Sequence, residues 1–271
     1  MKRLKTLSVF AIFVFSTFFS QAAFANTEAV NDNGQDLYMQ ERADVIADYL
    51  EEKINSDGVI GDDSSEFFAQ HPEYIVKDFS NNQSVDVVET RTLHFDQASK
   101  LKRDLNTTSD AELIGVEVIF YSNGDYIISE LKRKEISPDA QENVQSEIVP
   151  KIRNYVLGQN THHIYNTVGQ YVGRTYVQAT FWYDGTNVDY ASSMGANTRC
   201  LLGNYSVSPS GSGYPAITHP PEYNNQICRA SYTTFWYKMM PTYEQLALVD
   251  INRVSCNHQG KIFTTSPLTA G

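Results

Sequence analysis

Leu113-Ile114-Gly115-Val116-Glu117-Val118-Ile119-Phe120-Tyr121, Ser122-Asn123-Gly124-Asp125, then Tyr126-Ile127-Ile128-Ser129-Glu130-Leu131-Lys132 form the clearest hairpin signal in this chain of 271 residues. Two runs rich in β-branched and aromatic residues flank a short segment centred on Asn-Gly, the dipeptide that most readily takes the positive φ of a hairpin turn. An antiparallel sheet is therefore expected through the middle of the chain. Upstream, Leu37, Ala43, Ile46, Ala47, Leu50 and Ile54 recur at helical spacing, with Asp36 as N-cap and Asp57-Gly58 as the stop. Residues 85–95 alternate well enough for a strand, and Ser137-Pro138 opens a second helix expected to run to about Val156. These elements predict a small α+β unit over residues 37–156.

Composition changes near Gly158: helical periodicity fades, and Tyr, Thr, Ser, Asn and Gly take over. Strands are expected over residues 171–183, 188–193, 198–207, 227–237, 246–256 and 261–265, with turns between them. The expected fold class is thus α+β, a small N-terminal α+β unit followed by an antiparallel β-sandwich-like C-terminal domain over residues 157–271. Residues 206–226, rich in Ser, Gly and Pro, read as one long loop of the kind that often carries function. Thr180-Phe181-Trp182-Tyr183 recurs as Thr234-Phe235-Trp236-Tyr237, an echo that coincidence between aromatic-rich strands explains better than duplication does.

The N-terminus has the order of a secretory signal: Lys2, Arg3 and Lys5, an apolar run from Leu7 to Phe19, and Ala23-Phe24-Ala25 before Asn26. Cleavage is expected between Ala25 and Asn26, followed by a flexible leader over residues 26–36 and a secreted or periplasmic destination. The apolar run is shorter than the roughly 20 residues that span a bilayer as a helix, and no membrane span is expected in the mature chain. The signal holds three of the 21 Lys+Arg and none of the 32 Asp+Glu, so the net charge moves from −11 to −14 on its removal. That surface repels phosphate backbones, which argues against nucleic acid as a partner.

An oxidising compartment permits disulfides among Cys200, Cys228 and Cys256. If residues 227–237 and 246–256 form a hairpin, pairing Tyr237 with Ala247 puts Cys228 opposite Cys256, close enough for a bridge. Cys228–Cys256 is the expected pair, with Cys200–Cys228 as the other possibility; either would be structural.

Known catalytic spacings are absent. There is no Gly-x-Ser-x-Gly elbow, no His-Glu-x-x-His and no Cys-x-x-Cys, and adjacent His162 and His163 point to opposite sides of a strand. Asn55-Ser56-Asp57-Gly58 resembles part of an EF-hand loop, but Lys53 and Ser64 stand where its anchoring carboxylates belong. No cofactor and no metal ligands are expected. Period-two alternation puts Phe181 and Tyr183 with Val177 and Ala179 on a core face, and leaves Trp182 with Tyr176, Gln178 and Thr180 on a half-polar one. Trp236 likewise lies with Tyr232 and Thr234. An aromatic flanked by amides and hydroxyls suits a sugar ring or a protein anchor. The leading expectation is therefore a non-catalytic exported protein that binds an extracellular protein or glycan through Trp182, Trp236, Tyr176, Tyr232 and Gln178. The alternatives are a secreted hydrolase whose site is assembled from scattered residues, with His162, His163 or His219 as candidates, and an inhibitor or pro-region protein.

Overall fold

The computed structural model describes residues 33–57, 64–76, 85–95, 111–137, 153–210 and 214–264. The expected signal and its cleavage site, and most of the expected second helix, lie outside the described residues. The described elements are an N-terminal helical segment followed by a two-sheet, β-rich region. Helix α1 (Asn33–Asp57) and the short α2 (Ser65–Gln70) precede strands β1 (Val87–Thr92), β2 (Glu112–Tyr121), β3 (Tyr126–Ile136), β4 (Asn154–Tyr165), β5 (Tyr171–Tyr183) and β6 (Val188–Cys200). Those six strands form one antiparallel meander in chain order. Strands β7 (Tyr205–Pro209), β8 (Ala216–Thr218), β9 (Ile227–Met239), β10 (Glu244–Asn257) and β11 (Ile262–Phe263) make the second sheet, ordered β11-β10-β9-β7 with β8 also on β9.

The hairpin forms where its sequence places it. Phe120 pairs with Tyr126, Gly124 sits at φ +86°, and Asn123 Oδ1 accepts the Asp125 backbone N–H at 3.0 Å, so the turn amide is held by a side chain. Helix α1 buries Met39, Ala43, Ile46, Ala47, Leu50 and Ile54 on the periodicity expected of it, against Val116, Val118, Phe120, Tyr126 and Ile128. Leu37, expected on that face, is exposed. Arg42 is wholly buried beneath the helix, where Nε donates to the Tyr74 carbonyl at 2.7 Å and Nη2 to the Gly124 carbonyl at 2.6 Å, tying the helix to the hairpin turn.

Residues 154–156, placed at the end of the expected second helix, are instead the start of β4. The boundary expected at 156/157 falls inside that strand, whose register with β3 and β5 is unbroken across it, and residues 37–271 make one compact unit. The two expected strands 188–193 and 198–207 are redistributed as β6 and β7, and the expected long loop contains β8 and a 3₁₀ turn at Pro221–Tyr223.

The space between the sheets is layered. Val156, Val177, Ala179, Phe181, Val254 and Ile262 form an apolar cluster toward one end, and Ile127, Ile164, Val172, Trp236 and Leu248 another. Ser129, Asn160, His162, Thr175, Thr234, Asp250 and Asn252, all buried, form a polar layer. Gly173 belongs to the same packing: a Cβ there would meet the Trp236 ring at 2.9 Å and collide with the Arg199 carbonyl, so only glycine lets β5 and the indole approach.

Candidate metal centre

An Asx turn opens β6: Asp184 Oδ1 accepts the backbone N–H groups of Thr186 and Asn187 at 2.9 and 2.8 Å. The strand that follows delivers Asp189. Its first residue is tied to the loop ahead of β9, Val188 N–H donating to the Asn225 carbonyl at 3.2 Å. Strand β8 supplies the second group. Thr218 lies opposite Arg229 in the antiparallel β8–β9 pairing, and one further step in that register sets His219 beside Cys228. The chain then reverses through Pro220–Gln226 with Asn224 and Asn225 at φ 46° and 61°, a conformation that Asn tolerates better than most residues.

Asp189, His219 and Cys228 thus converge from three elements, and one donor atom from each lies within 4.8 Å of the other two. His219 Nε2 donates to Asp189 Oδ1 at 3.0 Å, while His219 Nδ1 is buried without a hydrogen-bond partner. Cys228 is fully buried; burial first, then the Asp189 charge, push its thiol up to about 12. An uncomplexed Cys228 is therefore a neutral thiol at physiological pH, poorly suited to nucleophilic attack. A dication inverts that logic, because a coordinating thiol is deprotonated. One carboxylate, one imidazole and one thiolate match a zinc-class donor set, and three protein ligands leave a fourth position for water. Bond lengths of 2.0–2.3 Å place tetrahedral ligands about 3.3–3.8 Å apart, so the trio needs to close by only about 1 Å onto an ion.

The expected disulfide does not form. Cys228 and Cys256 are register partners, as the hairpin argument required, yet all three cysteines are free. Cys228 turns to the Asp189–His219 pair, while the Cys256 thiol donates to the Asn257 carbonyl at 3.4 Å and Cys200 to the Tyr205 carbonyl at 3.3 Å.

The expected aromatic surface is not assembled either. Trp182 lies half-buried on the outer face of β5 with the Arg153 guanidinium 4.4 Å from its ring. On that face the Tyr176 hydroxyl donates to Gln178 Oε1. Trp236 and Tyr232 are buried between the sheets, and the indole N–H donates to Thr234 Oγ1 at 3.0 Å. The two Phe-Trp-Tyr triplets sit in opposite phase, Phe181 inward on β5 and Trp236 inward on β9. A half-polar strand face proved to be a core face because its Thr234 hydroxyl is spent on the polar layer. A purely non-catalytic binding surface built on paired tryptophans is therefore the wrong reading; the side chains that converge as a set able to hold a metal ion are Asp189, His219 and Cys228.

The other candidate histidines are separated from this centre. His162 Nδ1 donates to Asp250 Oδ1 at 2.6 Å inside the polar layer. His163, on the opposite face, contacts the Tyr171 hydroxyl through Nδ1 at 3.2 Å and lies 3.5 Å from Glu130 through Nε2. Of the three histidines expected for a site assembled from scattered residues, only His219 lies in this cluster, while Asp189 carries no signal in the sequence that marks it out. The available signal was Ala216-Ile217-Thr218-His219, read as a short strand returning through Pro220-Pro221 alongside Cys228.

Among the described residues, no helix is long and apolar enough to cross a membrane. In comparisons with protein families, curated proteins and solved structures, no family model, no curated protein and no solved structure matches the chain.

Proposed function

We propose that this chain is an exported metal-dependent hydrolase whose ion is held by Asp189, His219 and Cys228. The observation that carries the reading is the convergence of these three donors, from β6, the end of β8 and β9, within 4.8 Å. The half-exposed Asp189 and His219 leave one side of the centre open to solvent. A zinc-class ion held there would polarise a water and so supply a nucleophile for an acyl or phosphoryl centre. Asp189 and His219, already in contact at 3.0 Å, would turn to the ion together with Cys228. The buried Cys228 anchors the ion's inner side.

Zinc alone is the probe. The purified, metal-stripped chain is expected to take up one zinc per molecule by equilibrium dialysis, and cobalt in its place gives thiolate-to-metal charge-transfer absorption. Cys228→Ser removes the absorption, and His219→Ala lowers zinc affinity at least tenfold, as losing a well-placed ligand or its partner does. Hydrolysis of an activated ester is then abolished by a chelator and restored by zinc. Stoichiometric zinc retained equally by wild type and Cys228→Ser would overturn the assignment.

A further inference from the structure

The six-stranded sheet overhangs the other at its β2–β3 side. There β11 ends the second sheet after only two residues, and a cleft of about 750 Å³ opens between the inner faces of β2 and β3 and the β10–β11 turn. That volume lies inside the range of small-molecule sites. Its wall is apolar along Leu131, Ile262 and Phe263, and two cationic side chains, Arg133 and Lys261, line it as well. Arg133 gives Nη2 to Glu135 at 2.8 Å, while its Nε is buried with no hydrogen-bond partner. The one acid in the wall, Glu117, is already engaged, accepting from Thr264 Oγ1 at 3.1 Å. In a chain of net charge −11, a cleft lined by two cationic side chains and one carboxylate runs against the overall balance of the sequence, with Arg133 also ion-paired to Glu135.

Gly115 is the second observation. It interrupts β2 opposite Leu131, at an irregularity in the register. A Cβ built there meets only Leu131 Cβ, at 3.9 Å, and the φ is not in the left-handed region. Packing and backbone geometry would therefore accept a side chain, yet the sequence supplies none in a strand whose neighbours are Ile114 and Val116. A strand glycine marks a bulge, as the register shift here does, or a place that a ligand approaches closely, and Gly115 leaves the cleft wall open for the second.

We infer that this cleft binds an amphipathic carboxylate, an apolar chain or ring lying over Gly115 against Leu131, Ile262 and Phe263, with its carboxylate between Arg133 and Lys261. The unpartnered Arg133 Nε provides the charge-assisted hydrogen bond such a head group requires. The site is distinct from the metal centre, being built from β2, β3 and β11, and it stands whether or not the chain is a hydrolase.

The test uses octanoate, with octanol as the neutral isostere, titrated calorimetrically into the full chain. Saturable one-to-one binding of octanoate is expected, with octanol at least about tenfold weaker, the usual worth of a charged hydrogen bond. Arg133→Gln together with Lys261→Gln lowers octanoate affinity by a similar factor while leaving the melting temperature and octanol binding unchanged. Gly115→Leu fills the cleft and abolishes binding of both. Equal affinity for octanol and octanoate, undiminished binding to Gly115→Leu, or no saturable uptake at millimolar octanoate would each overturn the inference. If Gly115→Leu fails to fold, the charge variants decide alone.

Discussion

Two Asp–His pairs lie among the described residues, and their surroundings make them opposites. In the inter-sheet layer, His162 Nδ1 meets Asp250 Oδ1 at 2.6 Å, Asn160 Nδ2 donates to the other ring nitrogen at 3.0 Å, and Thr234 donates to the other carboxylate oxygen at 3.4 Å. Ser129 in turn donates to Asn160 Oδ1, and Trp236 to Thr234. Both ring nitrogens and both carboxylate oxygens of the His162–Asp250 pair are hydrogen-bonded, out of reach of solvent. At the edge of the fold, His219 and Asp189 meet at 3.0 Å with a ring nitrogen unpartnered, a thiol beside them and one side open. A saturated pair holds two sheets in register; an unsaturated one beside a third donor has capacity left for a ligand. The ion-pair contact itself does not distinguish structure from site. Satisfaction of the remaining atoms does.

The largest expected effect breaks the first pair. His162→Ala leaves Asp250 as an uncompensated charge at a fully buried position, which costs about 3–5 kcal/mol when a buried partner is removed. Denaturant unfolding of the variant should show that loss, and it should be shared by Asp250→Ala rather than added when the two are combined. A cost below about 1 kcal/mol would erase the contrast between the two pairs.

How far each pair was readable from residues alone follows from the same contrast. Strand β5 and helix α1 were legible because alternation and helical spacing each put apolar side chains on one face. The β9–β10 register was legible from the turn signal around Pro241, and it holds from Cys228–Cys256 to Trp236–Leu248 before shifting near Ala247. Strand β4 was not legible. Its inner face carries Gly158, Asn160 and His162, so the polar layer that fixes the sheets also removes the alternation by which a strand is recognised. The metal centre was hidden for a different reason. Asp189, His219 and Cys228 belong to three elements, and only the β8–β9 register and the packing of the β6 edge bring them together. Cys228 was visibly significant, but its partner in register, Cys256, suggested a bridge where the fold instead sets Cys228 beside Asp189 and His219.

A second buried carboxylate sharpens what a histidine does for Asp250. Asp125, in the hairpin turn, has no His partner; Asn123 Nδ2 donates to it at 2.9 Å, and burial pushes its pKa up to about 7, with Asn123, Lys238 and Arg42 opposing the shift. A pKa raised above its unfolded value means the folded chain holds the proton more tightly. The stability it contributes is therefore full below the unfolded value near 4 and is lost as pH rises through 7. Between pH 5 and pH 8 that loss is on the order of 2–3 kcal/mol. Asp125→Asn cannot ionise, so its stability relative to wild type should improve by about that amount across the same window. Parallel pH dependence in the two proteins would show that Asp125 stays ionised in the fold.

The smallest effect is the one that identifies the open pair. Without metal, His219→Ala removes a half-exposed contact whose loss should cost no more than about 1 kcal/mol, as for other solvent-accessible pairs. Asp189 can then be rehydrated, which the buried Asp250 cannot. Adding zinc separates the proteins: at a hundredfold excess over its dissociation constant, an ion bound only by the folded state stabilises wild type by about 2.7 kcal/mol, and the variant gains much less. Thermal melts with and without zinc read both numbers in one experiment. A loss of several kcal/mol in the metal-free variant would place His219–Asp189 in the same structural class as His162–Asp250. A near-zero loss with a zinc response confined to wild type would instead show that this pair is kept for its ligand and not for the fold.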